Sequence, residues 1–227
     1  MKFKLFAVIT FLLLSYGLYQ GMWAAPREAT MGEIQRIFYY HVPSAWTAFL
    51  CFFANFIASI VYLAWRNLKA DAFAVSTAEV GVVFCTVVLV TGPLWARPVW
   101  GIWWTWDLRL TLTLVLWLIY VSYLVLRRFS TSGQTPVMAA VLAVFGALDV
   151  PLVYFSIWFF RTQHPQPVIG GGGSIDPRML HVLLINWAAF SCFAVLVCWL
   201  RYHLEVLSRE VEETQALESL LEAGNSR

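Results

Sequence analysis

The sequence predicts an all-α integral membrane protein with six transmembrane helices and a tryptophan-rich outer loop between the third and fourth helices. Of its 227 residues, 60% are hydrophobic and 12% are charged, and the mean hydropathy is +0.71. Soluble domains contain about 25% charged residues, so this composition indicates a protein of the lipid bilayer. The net charge of +2 is too small to indicate nucleic-acid binding, and no nucleic-acid motif is present in the sequence.

Six apolar runs are long enough to cross the hydrocarbon core, which requires about 20 helical residues. They are predicted at about 5–25, 45–65, 76–95, 109–126, 136–160 and 180–200. The first run stays apolar through Trp23, which is long for a cleaved signal peptide, so we expect a retained helix. The whole chain, residues 1–227, is expected to form one polytopic membrane domain. Within it, leucines and glutamates recur at helical spacing over 202–227, which predicts a cytoplasmic amphipathic helix.

An even number of spans places both termini on one side of the membrane. With the N-terminus inside, the inner segments hold more lysines and arginines than the outer segments do. The positive-inside rule therefore favours cytoplasmic termini and places the loops 26–44, 96–108 and 161–179 outside. Insertion does not require arginines in these outer loops, which suggests another use for them.

The most unusual segment is 98–111, where four tryptophans lie within seven residues and a fifth lies just upstream. These tryptophans are Trp95, Trp100, Trp103, Trp104 and Trp106. An indole combines an apolar face with one N–H donor and prefers surroundings that are half apolar and half aqueous. The cluster is compatible with an aromatic belt at the lipid headgroups and with a platform for a flat apolar ligand. Asp107 follows it, at a position typical of a helix N-cap.

Two histidines flank this loop on the predicted outer face. His41 precedes the second predicted helix, where Pro43 suits an early helical position, and His164 follows the fifth, which Pro165 prevents from continuing. An iron porphyrin needs axial ligands, an apolar slot and cations for its propionates. A single histidine near a helix end is more often structural, but the pair beside an aromatic loop indicates haem-iron ligands, with His181 in reserve. The candidate cations are Arg36, Arg97, Arg109, Arg161 and Arg178.

Two acidic residues lie within the apolar spans, where such residues are functional candidates. Glu79 is expected to reach Arg66 or Lys69, and Asp149 to bond backbone groups freed by Pro151. These structural roles are favoured over a proton relay. The cysteines lie in apolar runs without any Cys-x-x-Cys pair, so they are interpreted as small buried hydrophobic residues.

The motif Trp100-Gly101-x-Trp103-Trp104-x-Trp106-Asp107 resembles the "WWD" signature of membrane proteins that handle haem in cytochrome c biogenesis. Together with the segment 36–43, the chain length and the six spans, it makes the chain similar to the cytochrome c maturation protein C family, also called haem exporter protein C. The resemblance covers about residues 5–200. The segment 156–165 around the second histidine departs from the family pattern.

The resemblance implies that His41 and His164 are the axial ligands of a b-type haem that is bound without a covalent link. It also implies that the tryptophan loop, with Arg97, Asp107 and Arg109, is the haem platform. The implied location is the periplasmic face of the bacterial inner membrane. The implied partners are a membrane-tethered haem chaperone of the CcmE type, an ABC transporter ATPase and its membrane subunit (CcmA- and CcmB-type), and a small single-span subunit (CcmD-type). A role in delivery, without enzymatic catalysis, is expected.

Three alternatives are kept beside this hypothesis. A membrane redox protein of the b-cytochrome kind would hold haem between histidines inside its helices, but no predicted span carries a histidine near its middle. A transporter of haem or another small solute would find few intramembrane charges here, and the sequence has no ATP-binding motif. A haem ligase that shares the tryptophan signature tends to be longer, with more spans.

Overall fold

The computed structural model describes residues 2–160, 162, 164–165 and 175–225, and within these ranges the chain is helical without any named strand. Six helical segments of this part are long and apolar enough to cross a membrane, which confirms the predicted fold class. The helices are α1 (Lys2–Tyr19), α2 (Phe38–Trp65), α3 (Leu68–Trp100), α4 (Leu108–Phe129), α5 (Thr135–Ala147), α6 (Asp149–Phe159) and α7 (Pro177–Asn225). A π-helical turn, Gln20–Ala24, extends α1, and a 3₁₀ turn, Glu33–Ile37, leads into α2.

The bundle has two ends with different chemistry. At the end that holds the N-terminus and the tail of α7, Asp71 is buried and accepts hydrogen bonds from Arg127 at 2.9 Å and Arg209 at 2.8 Å. These contacts join α3, α4 and α7. We call the opposite end, where α2 and α4 begin and α3 and α6 end, the site end.

The core of the bundle is built on the pairing of α2 with α3. Gly81 allows the two helices to approach closely, because a Cβ atom there would lie 2.6 Å from the Phe52 ring. Phe52 in turn stacks on Tyr120 of α4 with ring centroids 3.9 Å apart. The buried Asn55 amide donates to the Ala74 carbonyl at 2.7 Å, which adds a polar contact inside the same interface.

Helix α2 begins at Phe38, well before the predicted start of the second span at 45. His41 therefore lies inside a helix, and the expectation that it lies in the loop before the helix is wrong. Packing explains the difference, because Phe38 and Tyr39 are buried against the start of α7 and against Trp95. Pro43 is accommodated within the helix.

Helix α3 also exceeds its predicted span, 76–95, and continues to Trp100. It ends at Gly101, whose φ of +78° is the left-handed conformation common at helix C-termini, and whose N–H donates to the Arg97 carbonyl at 3.0 Å. Trp95 and Trp100 are thus helical residues. The irregular part of the tryptophan stretch is shorter than predicted, at 101–107.

The predicted span 136–160 consists of two helices that meet at Leu148. Pro151 explains the break, because it has no N–H to donate to the carbonyl four residues earlier. Asp149 is buried beside it, and its Oδ2 atom has no hydrogen-bond partner among the described residues, so the predicted bonding is absent for that oxygen. Glu79 pairs with Arg201 of α7, and not with Arg66 or Lys69 as predicted.

The last helix runs without interruption from Pro177 to Asn225, so the segment after residue 202 continues the sixth span. Arg209 fixes the first part of this extension, because it bonds Asp71 and also Glu205 at 2.9 Å. Beyond it the side chains are exposed as far as residue 223.

Candidate functional site

A cavity with about 950 Å³ of free space, part of it open to solvent, lies at the site end. Helices α2, α3, α4 and α6 form its walls, and the 101–107 segment lies over it. The sequence-predicted residues that line it are His41, Trp95, Trp100, Trp103, Trp104, Arg109 and His164.

The two predicted histidines meet in this cavity. The ring centroids of His41, on α2, and His164, beyond the end of α6, are 6.4 Å apart, and the ring planes differ by 34°. A metal ion bonded to two imidazoles at about 2 Å would place their centroids roughly 6 Å apart. The spacing of the two rings is therefore suited to one metal ion between them.

Hydrogen bonds define which ring nitrogen is free in each histidine. His41 Nδ1 lies 2.8 Å from Thr91 Oγ1, and this hydroxyl already donates its proton to the Val87 carbonyl at 2.6 Å, so Nδ1 must be the donor. His164 Nδ1 lies 2.8 Å from the Pro165 carbonyl oxygen, which can only accept. Both rings therefore carry their proton on Nδ1 and keep a lone pair on Nε2, which leaves Nε2 able to bind a metal ion.

The surroundings of His164 favour its neutral form. Burial, with the nearby Arg109 guanidinium as a second cause, lowers the pKa of His164 from its ordinary value of 6.5 to about 4. The hydrogen bond to the Pro165 carbonyl opposes this shift. Near pH 7 the imidazole is thus unprotonated at Nε2 and able to bind a metal ion.

The tryptophans divide into a buried group and an exposed group. Trp95 is buried and its ring meets His41 edge to face, with centroids 5.9 Å apart. Trp104 is half-buried, whereas Trp103 is 55% exposed although it lines the cavity. Trp106 is 76% exposed and lies outside the lining, in edge contact with Trp104. The stretch thus contributes both to the cavity wall and to the outer surface of its rim.

Polar atoms without partners also mark this cavity. Arg109 Nη1 is buried, lines the cavity through its side chain and has no hydrogen-bond partner among the described residues. The indole nitrogens of Trp95 and Trp104 are also buried and have no hydrogen-bond partner among the described residues. Buried donors normally find an acceptor, so these three atoms are candidates to bond the acceptor groups of a ligand.

Other predicted site residues lie outside the cavity lining. Arg97 is exposed and its guanidinium bonds the Gly101 carbonyl. Asp107 caps α4 by accepting from the Leu110 N–H at 3.1 Å, and it also accepts from the Thr105 hydroxyl. His181 is exposed on α7.

Arg36 and Arg178 also lie outside the cavity lining. Arg36 bonds Glu33 and the Gly21 carbonyl, and Arg178 bonds Asp176. Arg161 lies outside the described residues.

Sequence reasoning missed Thr91 and Gly92, which lie beside His41. Gly92 lines the cavity, and a Cβ atom there would lie 3.5 Å from His41 Cε1. Thr91 precedes Trp95 by four residues, so helical periodicity could have placed both on one face of α3. Both positions lie within the predicted span 76–95, but the sequence alone did not show that this face of α3 packs against His41.

Comparison with known proteins finds one matching family model and several similar proteins. A family model described as heme exporter protein C matches residues 2–217. Heme exporter protein C of Bradyrhizobium diazoefficiens is 36% identical over 216 residues, which cover 94% of this chain and 82% of that protein. The proteins of the same name from Haemophilus influenzae and Escherichia coli K12 are 31% and 30% identical, over 92% and 96% of this chain and 86% and 89% of theirs.

Proposed function

Because the chain belongs to the heme exporter protein C family, we propose that it binds haem at the site end and delivers it for cytochrome c maturation. The observation that carries this proposal is the pair His41 and His164, whose rings lie 6.4 Å apart in one cavity. Each ring uses Nδ1 for its hydrogen bond, and neither Nε2 atom has a hydrogen-bond partner among the described residues. Two imidazoles would bind the iron of a b-type haem without a covalent link to the protein.

The other cavity residues fit the rest of a haem molecule. Trp95, Trp100 and Trp104 offer apolar ring surface for a macrocycle. The unpartnered Nη1 atom of Arg109 offers a charged donor to a propionate. The buried Nε1 atoms of Trp95 and Trp104 add two further donors. The site thus contains the metal ligands, the apolar walls and the cation that haem requires.

The exposed rim is suited to transfer of the bound haem. Trp103 and Trp106 project from the 101–107 segment with more than half of their surface exposed. We propose that a membrane-tethered periplasmic haem chaperone of the CcmE type approaches over this rim and takes up haem covalently. Delivery of this kind requires no catalytic constellation in the chain itself.

The same proposal assigns the setting and the remaining partners. The site end would face the periplasm, and both termini would lie in the cytoplasm of a bacterium, as the distribution of basic residues favours. An ABC transporter ATPase and its membrane subunit (CcmA- and CcmB-type) and a small single-span subunit (CcmD-type) would work beside it. In a variant whose own four cysteines are replaced by alanine, labelling of single cysteines placed at the exposed Ala29 and Glu222 with a membrane-impermeant maleimide tests the orientation. Labelling of Glu222→Cys in intact spheroplasts would contradict it.

The ligand assignment is tested by the visible spectrum of the purified protein with haem. Replacement of His41 or His164 by alanine should change the axial-ligand bands from those of a six-coordinate bis-imidazole species. His181→Ala is the matched control, since His181 lies outside the cavity, and it should leave the spectrum unchanged. Unchanged spectra in both His41→Ala and His164→Ala would refute the proposal.

Delivery is tested separately in cells that contain the chaperone. His41→Ala and His164→Ala should both reduce the amount of chaperone that carries covalent haem, and His181→Ala should not. If a chaperone variant that lacks its haem-linking histidine still acquired covalent haem, the proposed transfer would be wrong.

A further inference from the structure

The two histidines of the cavity are held in different ways. His41 lies within α2, is 7% exposed and donates from Nδ1 to the side chain of Thr91 on the neighbouring helix. His164 lies outside any helix, is half-buried and donates from Nδ1 to the carbonyl of the next residue, Pro165. A contact between two helices thus orients the first ring, and a contact within one short segment orients the second.

We propose that Thr91 is a positioning residue that fixes the tautomer and orientation of His41 for binding of haem iron. This inference rests on the proposed function. It assigns to Thr91 an effect on the axial ligand His41 without contact between Thr91 and the iron. Thr91 belongs to α3, and its hydroxyl bridges the Val87 carbonyl, at 2.6 Å, and His41 Nδ1, at 2.8 Å.

The direction of these two hydrogen bonds follows from the number of protons. A hydroxyl has one proton, and the carbonyl of Val87 can only accept it. The oxygen of Thr91 is then left as an acceptor, which requires a proton on His41 Nδ1. Consequently Nε2 carries the lone pair, and a rotated ring that presents Nδ1 to the cavity would lose the bond to Thr91.

The hydrogen bond also changes the electronic character of the ligand. An imidazole whose second N–H donates to an acceptor becomes a more basic ligand, and it stabilises the oxidised form of the metal. Loss of such a partner typically weakens metal binding by about 10- to 100-fold. We therefore expect Thr91 to affect both the affinity for haem and the reduction potential of the bound iron.

The test compares Thr91→Val, which keeps the shape but removes the hydroxyl, with Thr91→Ser, which keeps the hydroxyl. Thr91→Val should weaken haem binding by about 10- to 100-fold and raise the midpoint potential. Thr91→Ser should restore both values towards those of the unaltered protein. Haem titration and spectroelectrochemistry in detergent measure the two quantities, and circular dichroism verifies that the helices are intact.

Thr86 supplies a matched control on the same helix. Its hydroxyl donates to the Val82 carbonyl at 2.8 Å and accepts from the Trp117 indole at 2.8 Å, so it repeats the hydrogen-bond pattern of Thr91 away from the histidines. Thr86→Val should leave the affinity and the potential unchanged. If Thr86→Val and Thr91→Val changed haem affinity and midpoint potential equally, the cause would be a general disturbance of α3, and the proposal would be overturned.

A double substitution separates this inference from the proposed function. If Thr91 acts through His41, then Thr91→Val should add nothing to His41→Ala but should still change the midpoint potential in a His164→Ala background. If His41→Ala alters the haem spectrum while Thr91→Val changes neither affinity nor potential, the positioning role is wrong and the proposed function stands. If His41→Ala leaves the spectrum unchanged, the ligand assignment itself is wrong.

Discussion

Replacement of Arg109 tests the proposed haem site, because it should raise the stability of the haem-free protein and lower its affinity for haem. Its Nη1 atom is buried at the cavity without a hydrogen-bond partner among the described residues. An unsatisfied buried polar group costs about 1–3 kcal/mol, whereas a hydrogen bond to a charged group contributes about 1.5–3 kcal/mol. Arg109→Met keeps an apolar side chain of similar reach and removes the charge.

We expect Arg109→Met to stabilise the haem-free protein by about 1 kcal/mol or more, because it removes the unsatisfied donor. The same substitution should weaken haem binding by roughly 10- to 150-fold, since 1.4 kcal/mol corresponds to a factor of ten. Denaturant unfolding of the haem-free protein in detergent measures the first effect, and haem titration measures the second.

Arg97→Met is the matched control for this experiment. Arg97 lies at the same end of the bundle, but it is exposed and outside the cavity lining. Its replacement should leave haem affinity unchanged. If Arg109→Met destabilised the haem-free protein and left haem affinity unchanged, Arg109 would be a structural residue and the assignment of its unpartnered donor to the ligand would be refuted.

Two further predictions concern the scaffold that holds the site. Asp71→Asn should destabilise the protein by about 3–5 kcal/mol, because it leaves Arg127 and Arg209 without their buried counter-charge. An unchanged unfolding midpoint in denaturant would contradict that role for the ion pairs. Gly81→Ala should cost about 1–3 kcal/mol, because its Cβ atom would lie 2.6 Å from the Phe52 ring. Thermal unfolding in detergent measures this loss, and equal stability of the variant would show that the α2–α3 contact can relax.

Several features followed directly from local sequence. Apolar runs predicted the six spans, because in lipid the backbone must satisfy its own hydrogen bonds and a helix does so over any stretch of sufficient length. The ends of the helices could not be read from hydropathy, since that signal stops at the edge of the hydrocarbon core. Packing of Phe38 and Tyr39 extends α2 beyond that edge, and Gly101 decides where α3 ends.

The candidate site shows the same division. Residue type and position alone indicated His41, His164 and the tryptophan loop, because imidazoles and indoles at one membrane face form an uncommon combination. Only the tertiary structure brought the two rings to 6.4 Å, placed Arg109 at the cavity and left Arg97 on the surface. These outcomes depend on which face of each helix packs against its neighbours, a property of the whole bundle that no single segment contains.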